Sequence, residues 1–337
     1  MTNLIRFTLL WVVLFSVAAC QSPPLPVGTQ PATPSTAHGH PTPSTVTHVP
    51  AESGPKDTSL LGMQESGGFA SQFAIADQFL LALTGVPAAP DGQAYQGWLT
   101  SGDGAVLAVG QLVPAADGTL SLAWTSPTGE NLPARFTGFE ITLEPADGSD
   151  IPTGEAVYAG AMQDEQAAQV RLLFVTNTVE PATPLNTPFM PGILAQLDVA
   201  IQHIQNAQNA EAIAAYEEMR IHLEHVINIL EGAQGERFQD YNGDGAAQNP
   251  GDGFGVKGYA RRAAEVLAVP ELADSIEEDV NALQDQALAI LEQTDVSQVA
   301  ASLAAMHVAG EALRDGPVAA LSRQADRHAW FPVRSVP

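Results

Sequence analysis

The apolar residues of this chain change their repeat once, and that change most constrains the fold. From Ile75 to about Asn177 they alternate: Phe79, Leu81 and Leu83, then Val106 and Ala108, then Leu120, Leu122 and Trp124, then Phe139, Ile141 and Leu143. A repeat of two puts alternate side chains on one face of a strand. Asp-Gly pairs at Asp91-Gly92, Asp103-Gly104, Asp117-Gly118 and Asp147-Gly148 punctuate the runs. Glycine takes positive φ at little cost, so each pair reads as a hairpin turn. Short strands at this spacing predict an antiparallel β-sandwich over residues 70–178. A Pro-rich joint, 179–191, follows. Beyond it the repeat is helical. Ile193, Leu197, Ala200, Ile201 and Ile204 form one stripe, and Ile213, Tyr216, Leu223, Val226, Ile227 and Leu230 a second. Further helices are expected at about 257–268, 271–293 and 296–313, with Pro270 at a break and Asp295 as an N-cap. One-sided stripes imply a four- or five-helix bundle over 192–316, with 317–337 left as a tail. The expected class is α+β: a β-sandwich followed by a helical bundle.

The N-terminus carries an address. Residues 1–20 contain one positive charge, Arg6, then an apolar run from Leu9 to Val17 and the sequence Val17-Ala18-Ala19-Cys20. The run is short for a membrane span. Small residues before a cysteine resemble a bacterial lipobox, and Cys20 is the one cysteine among the 337 residues. The expectation is a signal peptide over 1–20, a lipid on Cys20, and a protein anchored to the cell membrane at its extracytoplasmic face. A lone cysteine excludes an internal disulfide and a cysteine zinc site. Residues 21–65 are rich in Pro, Ser and Thr and too poor in apolar residues to build a core, so they read as a disordered tether.

The chain has 38 acidic and 13 basic residues, a formal charge of −25. Nucleic acid needs basic surface to replace its counterions, so it is not an expected partner. The expected partners are the membrane, through the lipid, and an extracytoplasmic protein or wall ligand.

Within the β region, Tyr95, Trp98 and Leu99 are followed by Gly110 and Leu112. Then come Thr142, Leu143, Glu144, Pro145, Gly148, Ser149, Pro152, Thr153 and Gly154. These pieces, in this order, resemble the extracytoplasmic C-terminal domain of anti-sigma-K factors, over roughly 75–162. Such factors carry a sigma-binding domain and a membrane span ahead of this module. Here a lipoprotein-like signal and a tether stand there instead. The resemblance therefore implies an extracytoplasmic sensing or binding module, without direct sigma-factor binding.

Two constellations in the helical region carry chemistry. Asp240, Asn242 and Asp244 fit positions one, three and five of an EF-hand or dockerin-like loop, with Gly245 at the sharp turn. Ala246 would offer a carbonyl at seven and Gln248 a water at nine. The closing position is Gly251, and Asp252 comes one residue later. Calcium takes oxygen ligands on a flexible loop, so calcium is the expected cofactor; with so few carboxylates its affinity would be weak, on the order of 10⁻⁴ to 10⁻³ M. The alternative is a turn whose side chains cap their own backbone. The second constellation is Glu218, His222 and His225 on one helix face, with His203 on the preceding helix and His307 on the last. A bundle could bring these inward as imidazole and carboxylate ligands for zinc or a related metal. The alternative is a polar edge in water, shared with Glu224. No Gly-x-Ser-x-Gly elbow, His-Glu-x-x-His motif, phosphate loop or cysteine nucleophile is present, so no enzymatic activity is expected.

Overall fold

Alternating residues in the first half do form strands, and the second half is helical. The computed structural model describes residues 66–70 and 75–337. The expected lipidation site and the whole of the expected tether, 21–65, lie outside the described residues.

Seven strands come first: β1 (Ser66–Ala70), β2 (Gln78–Leu83), β3 (Gln93–Thr100), β4 (Val106–Leu112), β5 (Leu120–Thr125), β6 (Gly138–Pro145) and β7 (Glu155–Ala161). Helices follow: α1 (Asp164–Phe174), α2 (Phe189–Ala212), α3 (Tyr216–Glu231), α4 (Val256–Leu267), α5 (Pro270–Glu292), α6 (Val296–Leu313) and α7 (Ala319–His328). Two short strands end the chain, β8 (Trp330–Pro332) and β9 (Arg334–Ser335). The class is α+β, as expected.

The strands form two sheets with antiparallel pairing throughout, in the orders β5-β2-β1-β8 and β4-β3-β6-β7-β9. The buried face of each contributes to one core. Phe79 of β2 stacks on Phe139 of β6 across the sheets, ring centroids 4.5 Å apart, and Phe69 and Phe331 complete the aromatic cluster. Trp98 is fully buried, and its Nε1 donates to Thr142 Oγ1 at 2.8 Å. It is a core residue rather than a platform for ligand.

Three expectations need correction. The four Asp-Gly pairs are not all hairpin turns. Asp103-Gly104 joins the paired strands β3 and β4, and Asp147-Gly148 lies between the paired strands β6 and β7. The other two sit on β2-to-β3 and β4-to-β5, which cross between sheets. Positive φ suits any reversal, not only a hairpin. Ile213 does not belong to the α3 stripe; it caps α2 and is 76 % exposed, because Ala214 turns the chain at φ +59°. Residues 317–337 are not a free tail. They form the end of a π-type turn, α7, β8 and β9, and bury Leu321, Ala325, Phe331 and Val333.

That last segment finishes the sandwich. β8 pairs with β1 in one sheet and β9 with β7 in the other, with Val333 buried between them. The approach is close enough that a Cβ on Gly160 of β7 would lie 2.1 Å from the Pro332 carbonyl oxygen.

In the helical part α2 is central and contacts α3, α4 and α6, while α5 packs on α3, α4 and α6. The α2 stripe Ile193, Leu197, Ala200, Ile201 and Ile204 is buried, and so is Met219-Leu223-Val226-Ile227-Leu230 of α3. Asp295 caps α6, accepting from Ser297 N at 3.0 Å. Among the described residues no helix is long and apolar enough to cross a membrane.

Candidate metal centre

The turn at 213–215 folds α3 back along α2 as a helical hairpin. His203 lies beside the buried stripe of α2. His222 and His225, one turn apart, lie beside that of α3. All three are half-buried where the flanks meet.

Their imidazoles converge through the same atom. His203 Nδ1 is 3.0 Å from His222 Nδ1 and 3.3 Å from His225 Nδ1. One potential ligand atom from each of the three lies within 4.8 Å of the others. Two nitrogens on one tetrahedral zinc, each bound at about 2.0–2.1 Å, stand ~3.3 Å apart. The observed spacing matches shared coordination and equally an imidazole–imidazole hydrogen bond; three lone pairs cannot face one another this closely without a proton or cation between them. A set of three imidazoles suits Zn²⁺, Cu²⁺ or Ni²⁺ and leaves a coordination position open. Burial first, then the imidazoles of His225 and His222, push His203 down to about 3, so it is neutral near pH 7. Burial also lowers His222, helped by His225 and opposed by Glu218.

The outer nitrogens have partners. His225 Nε2 is 3.0 Å from Gln248 Oε1. His222 Nε2 is 3.9 Å from Glu218 Oε1, a carboxylate 61 % exposed. Glu218 thus stands behind His222, on the side away from the convergent atoms, where it would orient the ring rather than bind the ion. His307 on α6 is not in the cluster, and its Nδ1 is buried without a hydrogen-bond partner among the described residues.

The loop after α3 is built around Glu224, which is fully buried and not part of a polar edge in water. Its carboxylate accepts from the main-chain N–H groups of Tyr241 (2.9 Å), Asn242 (2.9 Å) and Gln248 (2.8 Å). Asn228, one turn on, donates to the carbonyls of Gln239 and Gln248 and accepts from Gln239 N. Glu231, a further turn along, is paired with Lys257 Nζ at 2.5 Å. The signal that could have found them is their spacing of four and then three: a second, polar stripe beside the apolar one.

The loop's acidic residues bond within the loop. Asp240 accepts from Gly243 N and Gly245 N, Asn242 from Asp244 N, and Asp244 from Ala246 N and Gln248 Nε2. Asp252 is turned elsewhere, with one oxygen on Phe254 N and the other on the Tyr259 hydroxyl at 2.6 Å.

The family model described as "Anti-sigma-K factor rskA, C-terminal" matches residues 9–157. The match starts inside the apolar N-terminal run and stops within β7, so the histidine cluster lies outside it. No curated protein and no solved structure matches the chain.

Proposed function

We propose that this chain, whose β-rich part is an anti-sigma-K factor C-terminal domain, is an extracytoplasmic binding module responsive to a divalent transition metal, zinc foremost. His203, His222 and His225 would hold the ion. The family domain supports a regulatory setting, with an extracytoplasmic protein or wall component as partner. The lipobox-like residues at Cys20 support attachment to the membrane. The observation that carries the reading is the meeting of three Nδ1 atoms at 3.0 and 3.3 Å. We extend the proposal to a weak calcium site at Asp240, Asn242 and Asp244, whose side-chain oxygens each accept a main-chain N–H within one surface turn.

Competition with a chromophoric chelator tests the main reading on the purified chain. One zinc ion per chain is expected. Changes behind a ligand cost roughly 10–100-fold in affinity, so His203→Ala or His222→Ala should lose more than about 100-fold. His307→Ala should bind as the parent does. A parent chain that takes up no zinc, copper or nickel, or histidine variants that bind as well as it does, would sink the proposal.

A further inference from the structure

The geometry points to Gln248 as a positioning residue for this metal centre, itself oriented by Asp244, so that the loop after α3 supplies the centre's outer support. The inference rests on the metal reading above.

Hydrogen-bond polarity orients the Gln248 amide. Gln248 Nε2 lies 2.8 Å from Asp244 Oδ2, and Gln248 Oε1 lies 3.0 Å from His225 Nε2. An ionised carboxylate only accepts, so the amide nitrogen must face Asp244 and the amide oxygen must face His225. That oxygen also only accepts, so His225 carries its proton on Nε2. A neutral imidazole has one N–H, which leaves the lone pair on Nδ1. That is the nitrogen 3.3 Å from His203 Nδ1. One carboxylate on the loop thus selects, through one amide, the tautomer that a metal at the cluster requires.

Gln248 is also fixed at its main chain. Its N–H donates to Glu224 Oε1 at 2.8 Å and its carbonyl accepts from Asn228 Nδ2 at 2.9 Å. Both partners are buried residues of α3, one before His225 in sequence and one after it. These bonds hold the main chain from which the amide reaches His225, and Asp244 holds the amide itself. By linkage, whatever the ordered loop contributes to metal affinity the metal returns to loop order. Zinc should slow hydrogen exchange at the amides of Gly245, Ala246 and Gln248.

The test uses the full chain. Gln248→Leu removes the acceptor; Gln248→Glu combined with Asp244→Asn keeps an acceptor at 248 and a donor facing it at 244. Expected are zinc affinity lowered roughly 10–100-fold in Q248L, affinity kept in the double variant, and ¹⁵N imidazole shifts showing His225 as the Nε2–H tautomer in the metal-free parent. Parental affinity in Q248L, an equal loss in the double variant, or Nδ1–H on His225 in the metal-free parent would overturn the inference while leaving the metal site standing. A parent chain that binds no metal would overturn both. The tautomer measurement needs no variant, so it decides the matter even where Q248L fails to fold.

Discussion

Glu144 explains the residues of the stretch in β6 and the loop after it that is similar to the anti-sigma-K factor module. Its carboxylate is buried and accepts from Thr142 Oγ1, from Thr153 N and Oγ1, and from Gly154 N. Thr142 in turn accepts from Trp98, so the stretch is a hydrogen-bonded relay from one strand to the next hairpin. Gly154 stands where a Cβ would lie 1.7 Å from the Leu143 carbonyl oxygen, so no other residue fits that backbone. Burial pushes the Glu144 carboxyl up, but the bonds from Thr153, Gly154 and Thr142 outweigh it and hold it at about 2, against an ordinary 4.5. A folded value below the unfolded one gives stability that is present above about 4.5 and lost as pH falls toward 2. Glu144→Gln strands at least one of these donors, at a cost of roughly 1–3 kcal/mol. Urea midpoints should be lower in E144Q at pH 7 and approach the parent's only as pH falls to about 2; equal midpoints at pH 7 would refute the role. The pattern Thr-x-Glu was legible in the sequence, but nothing in it says that the side chain folds back to gather a loop nine residues on.

At the scale of elements, the long pieces were legible because they repeat. β2, β5 and β6 follow alternation, and α4, α5 and α6 follow their stripes, Pro270 and Asp295. β8 and β9 are three and two residues long, too short to carry any period. His222 and His225 could be placed on one helix face from spacing alone. That His203 meets them depends on how α2 and α3 cross, which side-chain packing decides. The 240–252 loop marks another limit. Its spacing reads as a cation loop, while Glu224 and the loop's own carboxylates already collect its N–H groups. Calcium should therefore bind weakly, on the order of 10⁻⁴ to 10⁻³ M, raising the Tm of the helical part, with EDTA reversing the rise. Asp240→Ala should abolish the response. A Tm indifferent to calcium and to EDTA would leave the loop as a self-capped turn.

For the molecule as a whole, the formal charge of −25 means that nothing in the composition draws the chain to an anionic bilayer. Attachment, in the proposed reading, comes from lipid at Cys20 alone. Cys20→Ser should move the protein from the membrane fraction to the soluble one with its circular dichroism unchanged. Retention on membranes, or a native N-terminus that is not an acylated cysteine by mass spectrometry, would count against the anchor. The pairing of β1 and β7 with residues 330–335 has its own bearing on how such a protein is made. β1 waits for β8 and β7 for β9. In the proposed exported setting, a polypeptide that passes the membrane N-terminus first leaves β1 and β7 unpaired on one side until residues 330–335 emerge. The first strand out is then among the last to find all its neighbours, and a chain interrupted shortly before its end would be released with both edges open to stick to other copies.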